Sequence, residues 1–205
     1  MIYYDIEQGS QEWKDLRSGK ATASNFSDVL MDSSKAGYQN YKTRLILERI
    51  LGKSLDDGYT NKAMQDGNER EPIARMKYEI ASGNMVQEVS FVDNEFYKMI
   101  GCSPDGLIGD DGGIEIKCGI QKTHYDYLFL TEAPAIYKPQ VQGNLMITGR
   151  KWWDFVSFNP DFPEHLQLKI IRCFPDVEYI KKLQLALIGF NQDVEAGILK
   201  LKSLE

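Results

Sequence analysis

The sequence predicts one domain of mixed α/β (α+β) class over residues 1–205, with a mixed central sheet flanked by helices. Three observations predict it. Apolar residues recur at helical spacing through much of residues 10–82. The period then shortens to that of strands between residues 86 and 118. Beyond residue 118, helical stretches, a pair of strands and a long amphipathic helix follow one another.

Each element has a local reason. Ser10 is the expected N-cap of a helical region over residues 10–32, with Gln11 and Glu12 in its first turn and Trp13 and Leu16 on its apolar side. Gly19 breaks that region, and Thr22 to Ser24 caps its second part, whose apolar side is Phe26, Val29, Leu30 and Met31. A helix from Tyr41 to Leu51 places Leu45, Ile46, Leu47, Ile50 and Leu51 inside, and a polar loop runs from Lys53 to Thr60. Asn61 to Ser82 is helical, with apolar contacts from Ala63, Met64, Ile73, Ala74, Met76, Tyr78 and Ile80, and Gly83-Asn84 stops it. Strands are expected around Val86 to Val92, over Tyr97 to Gly101 and over Gly113 to Cys118, the last two joined by an Asp- and Gly-rich turn from Pro104 to Gly112. Helices over His124 to Leu130 and Tyr137 to Thr148 come next. Strands over Trp152 to Phe158 and Leu166 to Cys173 and a helix over Val177 to Leu201 complete the chain.

Composition sets outer limits. At 42% apolar residues a packed core is expected rather than disorder. No apolar run has the length of a membrane span, and Met1 to Asp5 lacks a signal-peptide layout, so the cytoplasm is the expected compartment. Cys102, Cys118 and Cys173 are too widely spaced for a disulfide framework or a zinc site and are expected as buried free thiols. The net charge of −6 weighs against broad phosphate binding, but local field decides such binding, and carboxylates that take up cations reverse their own sign.

One constellation carries chemistry. Asp105 follows Pro104 at a strand end, and Glu115 and Lys117 lie two apart on the next strand, so their side chains leave one face while Ile114, Ile116 and Cys118 enter the core. A hairpin could bring Asp105 to Glu115. Two carboxylates and a backbone carbonyl make a hard-oxygen pocket suited to Mg²⁺ or Mn²⁺, with Lys117 beside it to orient a water. That set suits phosphodiester hydrolysis. A second ion needs another acid, and Glu71 is the best-placed one. Acid-x-Lys alone is weak: chance supplies roughly two or three matches, and the sequence holds two, the other being Glu12-Trp13-Lys14. Lys117 taken alone would also fit an ordinary surface lysine. The Pro-Asp, the Gly-rich turn and the apolar strand together single out the Glu115 copy.

The set resembles the Pro-Asp…(Asp/Glu)-x-Lys signature of restriction-endonuclease-like nucleases. Further blocks resemble the lambda exonuclease and YqaJ-type viral recombinase family, in the family's order. They are Gly9 to Trp13 with Leu16 to Gly19 and Thr22 to Ser24, then Gly67 to Glu71 with Ala74-Arg75, Tyr78-Glu79 and Ser82-Gly83, then Ser103 to Leu107 with Glu115 to Cys118, and last Gln140-Val141-Gln142. The resemblance spans residues of about 8–158 and implies a restriction-endonuclease-like core. It implies metal contacts from Asp105, Glu115, Glu71 and the Ile116 carbonyl, occupancy by two Mg²⁺ ions with Mn²⁺ as substitute, Lys117 at the attacking water, and Gln142 near the metal site and the scissile strand. An ordinary helix amide would equally serve at Gln142. Arg17 resembles the arginine that binds a 5′-terminal phosphate, a role suited to a guanidinium fork, with Ser24 and Ser103 as hydroxyl donors. A plain helix cap would equally account for Ser24. Members can carry another acid before the Ser-Pro-Asp block. Glu95 aligns there without gaps and Asp93 after a small shift, so neither is assigned. The implied activity is 5′ to 3′ digestion of one strand of linear duplex DNA, leaving a 3′ overhang for a single-strand annealing partner, by a homo-oligomer that is a ring trimer in the lambda enzyme. The alternatives are another nuclease on the same core, either an endonuclease or a RecB-type enzyme, and a catalytically inactive DNA-end scaffold.

Overall fold

The computed structural model describes residues 1–55, 62–94 and 97–204, without the side chains of residues 63 and 64. The expected start of a helix at Asn61, the contacts of Ala63 and Met64, most of the loop to Thr60 and the position of Glu95 therefore lie outside the described residues.

The strands form two four-stranded sheets. In the first, β1 (Ile2–Tyr4) and β3 (Phe91–Asp93) are antiparallel, β4 (Ile100–Cys102) continues antiparallel, and β2 (Ala21–Thr22) closes the edge parallel to β4. In the second, β5 (Gly106–Ile108) and β6 (Gly112–Lys117) form a hairpin, β7 (Trp152–Phe158) is parallel to β6, and β8 (Leu168–Cys173) is antiparallel to β7. A bridge between Gln87 and Leu107 links the approach to β3 with β5. The expected single sheet is thus two mixed sheets with helices around them. The stretch read as a turn from Pro104 to Gly112 contains β5, and the tight connection of the hairpin is confined to the Gly- and Asp-rich residues after Ile108.

Ser10 caps α1 (Gln11–Arg17), its side chain accepting from the Trp13 amide at 3.2 Å. Gly19, at φ +70°, then turns the chain into β2, so the expected helical region over 10–32 is α1, a strand and the short α2 (Phe26–Val29). No side chain caps α2. Helix α3 (Ala36–Leu51) buries Tyr38, Tyr41, Leu45 and Ile46 against α7 (Val177–Lys202), which turns Leu183, Leu187, Phe190, Val194 and Ile198 inward. Leu47, Ile50 and Leu51 are exposed, contrary to expectation, since one helical stripe suffices for this interface. Helix α4 (Lys62–Ser82) buries Ala74 and Tyr78 against the second sheet, while Ile73, Met76 and Ile80 are exposed. Tyr78 donates to Asp154 Oδ2 at 2.7 Å, and Arg172 donates to both Asp154 oxygens at 2.9 Å, pinning α4 to β7 and β8.

Helices α5 (Gln121–Leu128) and α6 (Lys138–Thr148) form the crossover from β6 to β7. The sheet at this crossing is built on small-large pairs: Gly112 faces Trp152 and Gly113 faces Trp153 in register. Trp153 is fully buried. Cys102 is buried as expected, whereas Cys118 and Cys173 are partly exposed; all three are free thiols. Among the described residues no helix is long and apolar enough to cross a membrane.

A Cβ at Gly113 would lie 2.3 Å from the Trp153 ring. Gly113→Ala should therefore destabilise the domain by about 1–3 kcal/mol through overpacking, read as a lowered urea midpoint. An unchanged midpoint would show that the Trp153 ring yields.

Candidate active site

Strand β6 delivers Glu115 and Lys117 to one face, as period-two alternation requires, and buries Ile114 and Ile116 on the other. Glu115 is 1% exposed, although it is a carboxylate. Three side chains hold it. Lys117 Nζ donates to Oε1 at 2.5 Å, Gln140 Nε2 donates to the same oxygen at 2.6 Å, and Asn144 Nδ2 donates to Oε2 at 3.2 Å. The β5–β6 hairpin brings Asp105 alongside, where its Oδ2 accepts from the Ile116 amide at 2.6 Å. Glu71 comes from α4 and accepts from Arg75 Nη2 at 2.7 Å.

Glu71, Asp105, Ile116 and Lys117 line one cleft of about 540 Å³, with Arg70 and Tyr137 also on its wall. Lys117 Nζ sits 5.2 Å from the centre of the Tyr137 ring. Burial, and then the Asp105 charge, push Glu71 up to about 7. The same two causes raise Glu115, and burial raises Asp105 against the opposing pull of Lys117. Burial disfavours the Lys117 charge, but Glu115 and Asp105 outweigh it and hold its pKa above the ordinary lysine value. Carboxylates that disfavour one another's charge at this range form a site that a cation would relieve.

The donor chemistry is that of a hard cation: carboxylate oxygens and a backbone carbonyl at one cleft, with no thiolate or imidazole required. Among the described residues no group of three or more His, Cys, Asp or Glu is arranged to hold a metal as it stands. Protein donors occupy the carboxylates instead, namely Arg75 at Glu71 and Lys117 with Gln140 at Glu115. The residues fit a divalent cation in kind, and those donors would have to yield to it.

Gln142 does not join this cluster. Its Nε2 donates to the Phe174 carbonyl at 2.9 Å and its Oε1 accepts from the Asp176 amide at 2.8 Å, which ties α6 to the start of α7. Gln140 and Asn144 are four apart and share a helix face, whereas Gln142 is two from each and points away. That spacing was the signal available for Gln140 and Asn144. Asp93 pairs with Lys20 at 2.7 Å.

A second feature adjoins the cleft. Arg17 Nη1 donates to Ser103 Oγ at 2.7 Å, two residues before Asp105. Arg17 also lies over the Trp13 ring at 4.1 Å. It lines a small pocket of about 80 Å³ with Lys14, Lys20, Thr22, Asn25 and Arg44. Ser24 is exposed beside it, bonded to Thr22 Oγ1 at 3.4 Å and Asn25 Nδ2 at 3.2 Å. The decoy lysine, Lys14, thus belongs to this pocket and not to the carboxylate cleft.

Residues 12–151 match the model of the YqaJ-like viral recombinase domain. An alkaline exonuclease from Laribacter hongkongensis, LHK-Exo, is 38% identical, with TM-score 0.87 over 95% of this chain and 97% of that one. Its complex with dAMP superposes with TM-score 0.88 at the same identity and coverage. A phage-related exonuclease from Haemophilus somnus, 16% identical, shares the fold with TM-score 0.71 over 89% of this chain and 96% of that one. A search of curated proteins finds no match. With the family model covering most of the chain and a relative of this identity aligned over nearly all of it, the protein belongs to the YqaJ-like viral recombinase family, among relatives that are exonucleases.

Proposed function

We propose that the chain is a divalent-metal-dependent exonuclease that digests one strand of linear duplex DNA from the 5′ end and leaves a 3′ overhang. The observation that carries this reading is the 2.7 Å bond from Arg17 to Ser103, because it sets a cationic pocket on the same segment as Asp105. A terminal phosphate in that pocket would lie within a short stretch of strand of the carboxylate cleft. Membership of the family and the likeness to an alkaline exonuclease crystallised with dAMP support a nucleotide substrate.

In this reading Asp105, Glu115, Glu71 and the Ile116 carbonyl hold Mg²⁺, with Mn²⁺ as substitute and two ions as the full complement. The cation supplies Lewis-acid polarisation of the phosphate and a water of lowered pKa. Lys117, kept protonated by its acidic neighbours, donates to the attacking water and meets charge developing on the phosphate oxygens. Gln140 and Asn144 orient Glu115. A closed homo-oligomeric ring, a trimer, would retain the duplex without a basic chain. The overhang would pass to a single-strand annealing protein in the host cytoplasm.

Three outcomes are expected. Digestion of strand-specifically labelled linear duplex should be faster from 5′-phosphate than from 5′-hydroxyl ends and release label from the 5′ side. Cutting of closed circles would sink the exonuclease reading. Asp105→Ala should lower Mg²⁺-dependent digestion by about a thousandfold while the fold persists by circular dichroism; full activity would remove Asp105 from the site. Acids whose folded pKa is raised favour folding in their protonated form, so the metal-free protein loses stability as pH rises from about 4.5 to about 7. Mn²⁺ must displace those protons. Its thermal stabilisation should accordingly be larger at pH 8.5 than at pH 5.5, and equal shifts would separate metal binding from these carboxylates.

A further inference from the structure

We propose that Arg44 is a second arginine of the end pocket and determines the preference for a terminal phosphate over an internal one. The proposal rests on the end-dependent reading above and adds a residue from a different helix, one that the family resemblance did not single out.

Arg44 lies on α3, far in sequence from Arg17, yet both line the pocket of about 80 Å³. A volume of that size suits a phosphate group. Among the described residues Arg44 pairs with no anion: its Nε is buried without a hydrogen-bond partner, and its guanidinium is held 4.8 Å from the Tyr41 ring centre. Glu48 and Lys20, which also line the pocket, are already engaged. Both Glu48 oxygens are taken, Oε2 by the Gly19 amide at 2.8 Å and Oε1 by the Leu55 amide at 3.1 Å. Lys20 is paired with both Asp93 oxygens at 2.7 Å. The Tyr41 hydroxyl, which accepts from the Thr22 amide at 2.9 Å, fixes the platform under Arg44.

Burying a donor without a partner costs stability that a ligand can return. The chemistry also discriminates. A terminal phosphate monoester carries about −1.5 to −2 charges at neutral pH, and an internal diester carries one. Two guanidiniums facing one small volume match the former. Arg17 is anchored to Ser103 on the side of the cleft, so Arg44 would grip the same phosphate from the opposite wall.

The test compares kcat/KM on 5′-phosphorylated and 5′-hydroxyl linear duplex for wild type, Arg17→Gln, Arg44→Gln and Arg44→Lys. Each protein is measured on both ends, so a loss of folded protein lowers both rates together and leaves their ratio unchanged. Arg44→Gln should lower the phosphate preference by about ten- to a hundredfold, and Arg44→Lys should restore part of it. A wild-type preference that Arg17→Gln abolishes and Arg44→Gln leaves intact would overturn this assignment while keeping the end-dependent reading. A wild-type ratio near one would overturn both.

Discussion

A single buried charge organises this molecule. Glu115 is carried on an interior strand, and a carboxylate removed from water there must be met by donors from every side. Lys117 meets it from its own strand, and Gln140 and Asn144 meet it from the crossover helix. The hairpin that supplies Asp105 and the helix that supplies Glu71 then crowd further negative charge into the same region. Among the described residues one cation, Lys117, sits against Glu115, and Arg75 meets Glu71.

The cationic pocket is the complement of this arrangement. A chain of net charge −6 holds Lys14, Arg17, Lys20 and Arg44 around one small volume, with a buried acid as structural counterpart. Charge is thus sorted by place. The negative cleft and the positive pocket meet at residues 103–105, where Ser103 binds Arg17 and Asp105 binds the strand of Glu115. Overall charge says little about such a protein, because each site is read by its local field.

The grouping of Asp105, Glu115 and Lys117 was legible in the sequence because it is local. Glu115 and Lys117 share a strand, period two puts them on one face, and Asp105 lies across a short hairpin. The long helix α7 was legible for a similar reason, since its apolar stripe persists over many turns. What escaped was non-local. The division into two sheets depends on which strands meet, and no residue type records that. Leu47, Ile50, Met76 and Ile80 looked internal because they are apolar, but burial follows the contact stripe of a helix rather than the residue alone. Gln142 sits apart from the carboxylates by a helical phase of two residues, on the face turned toward the start of α7. β2 is too short to show a period, and β5 hid inside a segment whose composition signals a turn.

The partners of Glu115 have one more consequence. Gln140 and Asn144 stand 25 and 29 residues beyond it, on the far side of a parallel crossover. The acid-x-Lys triplet is therefore not a portable module. Grafted onto another hairpin, it would arrive without the two amides that make its carboxylate tolerable in a core, and the strand would turn that carboxylate out to water.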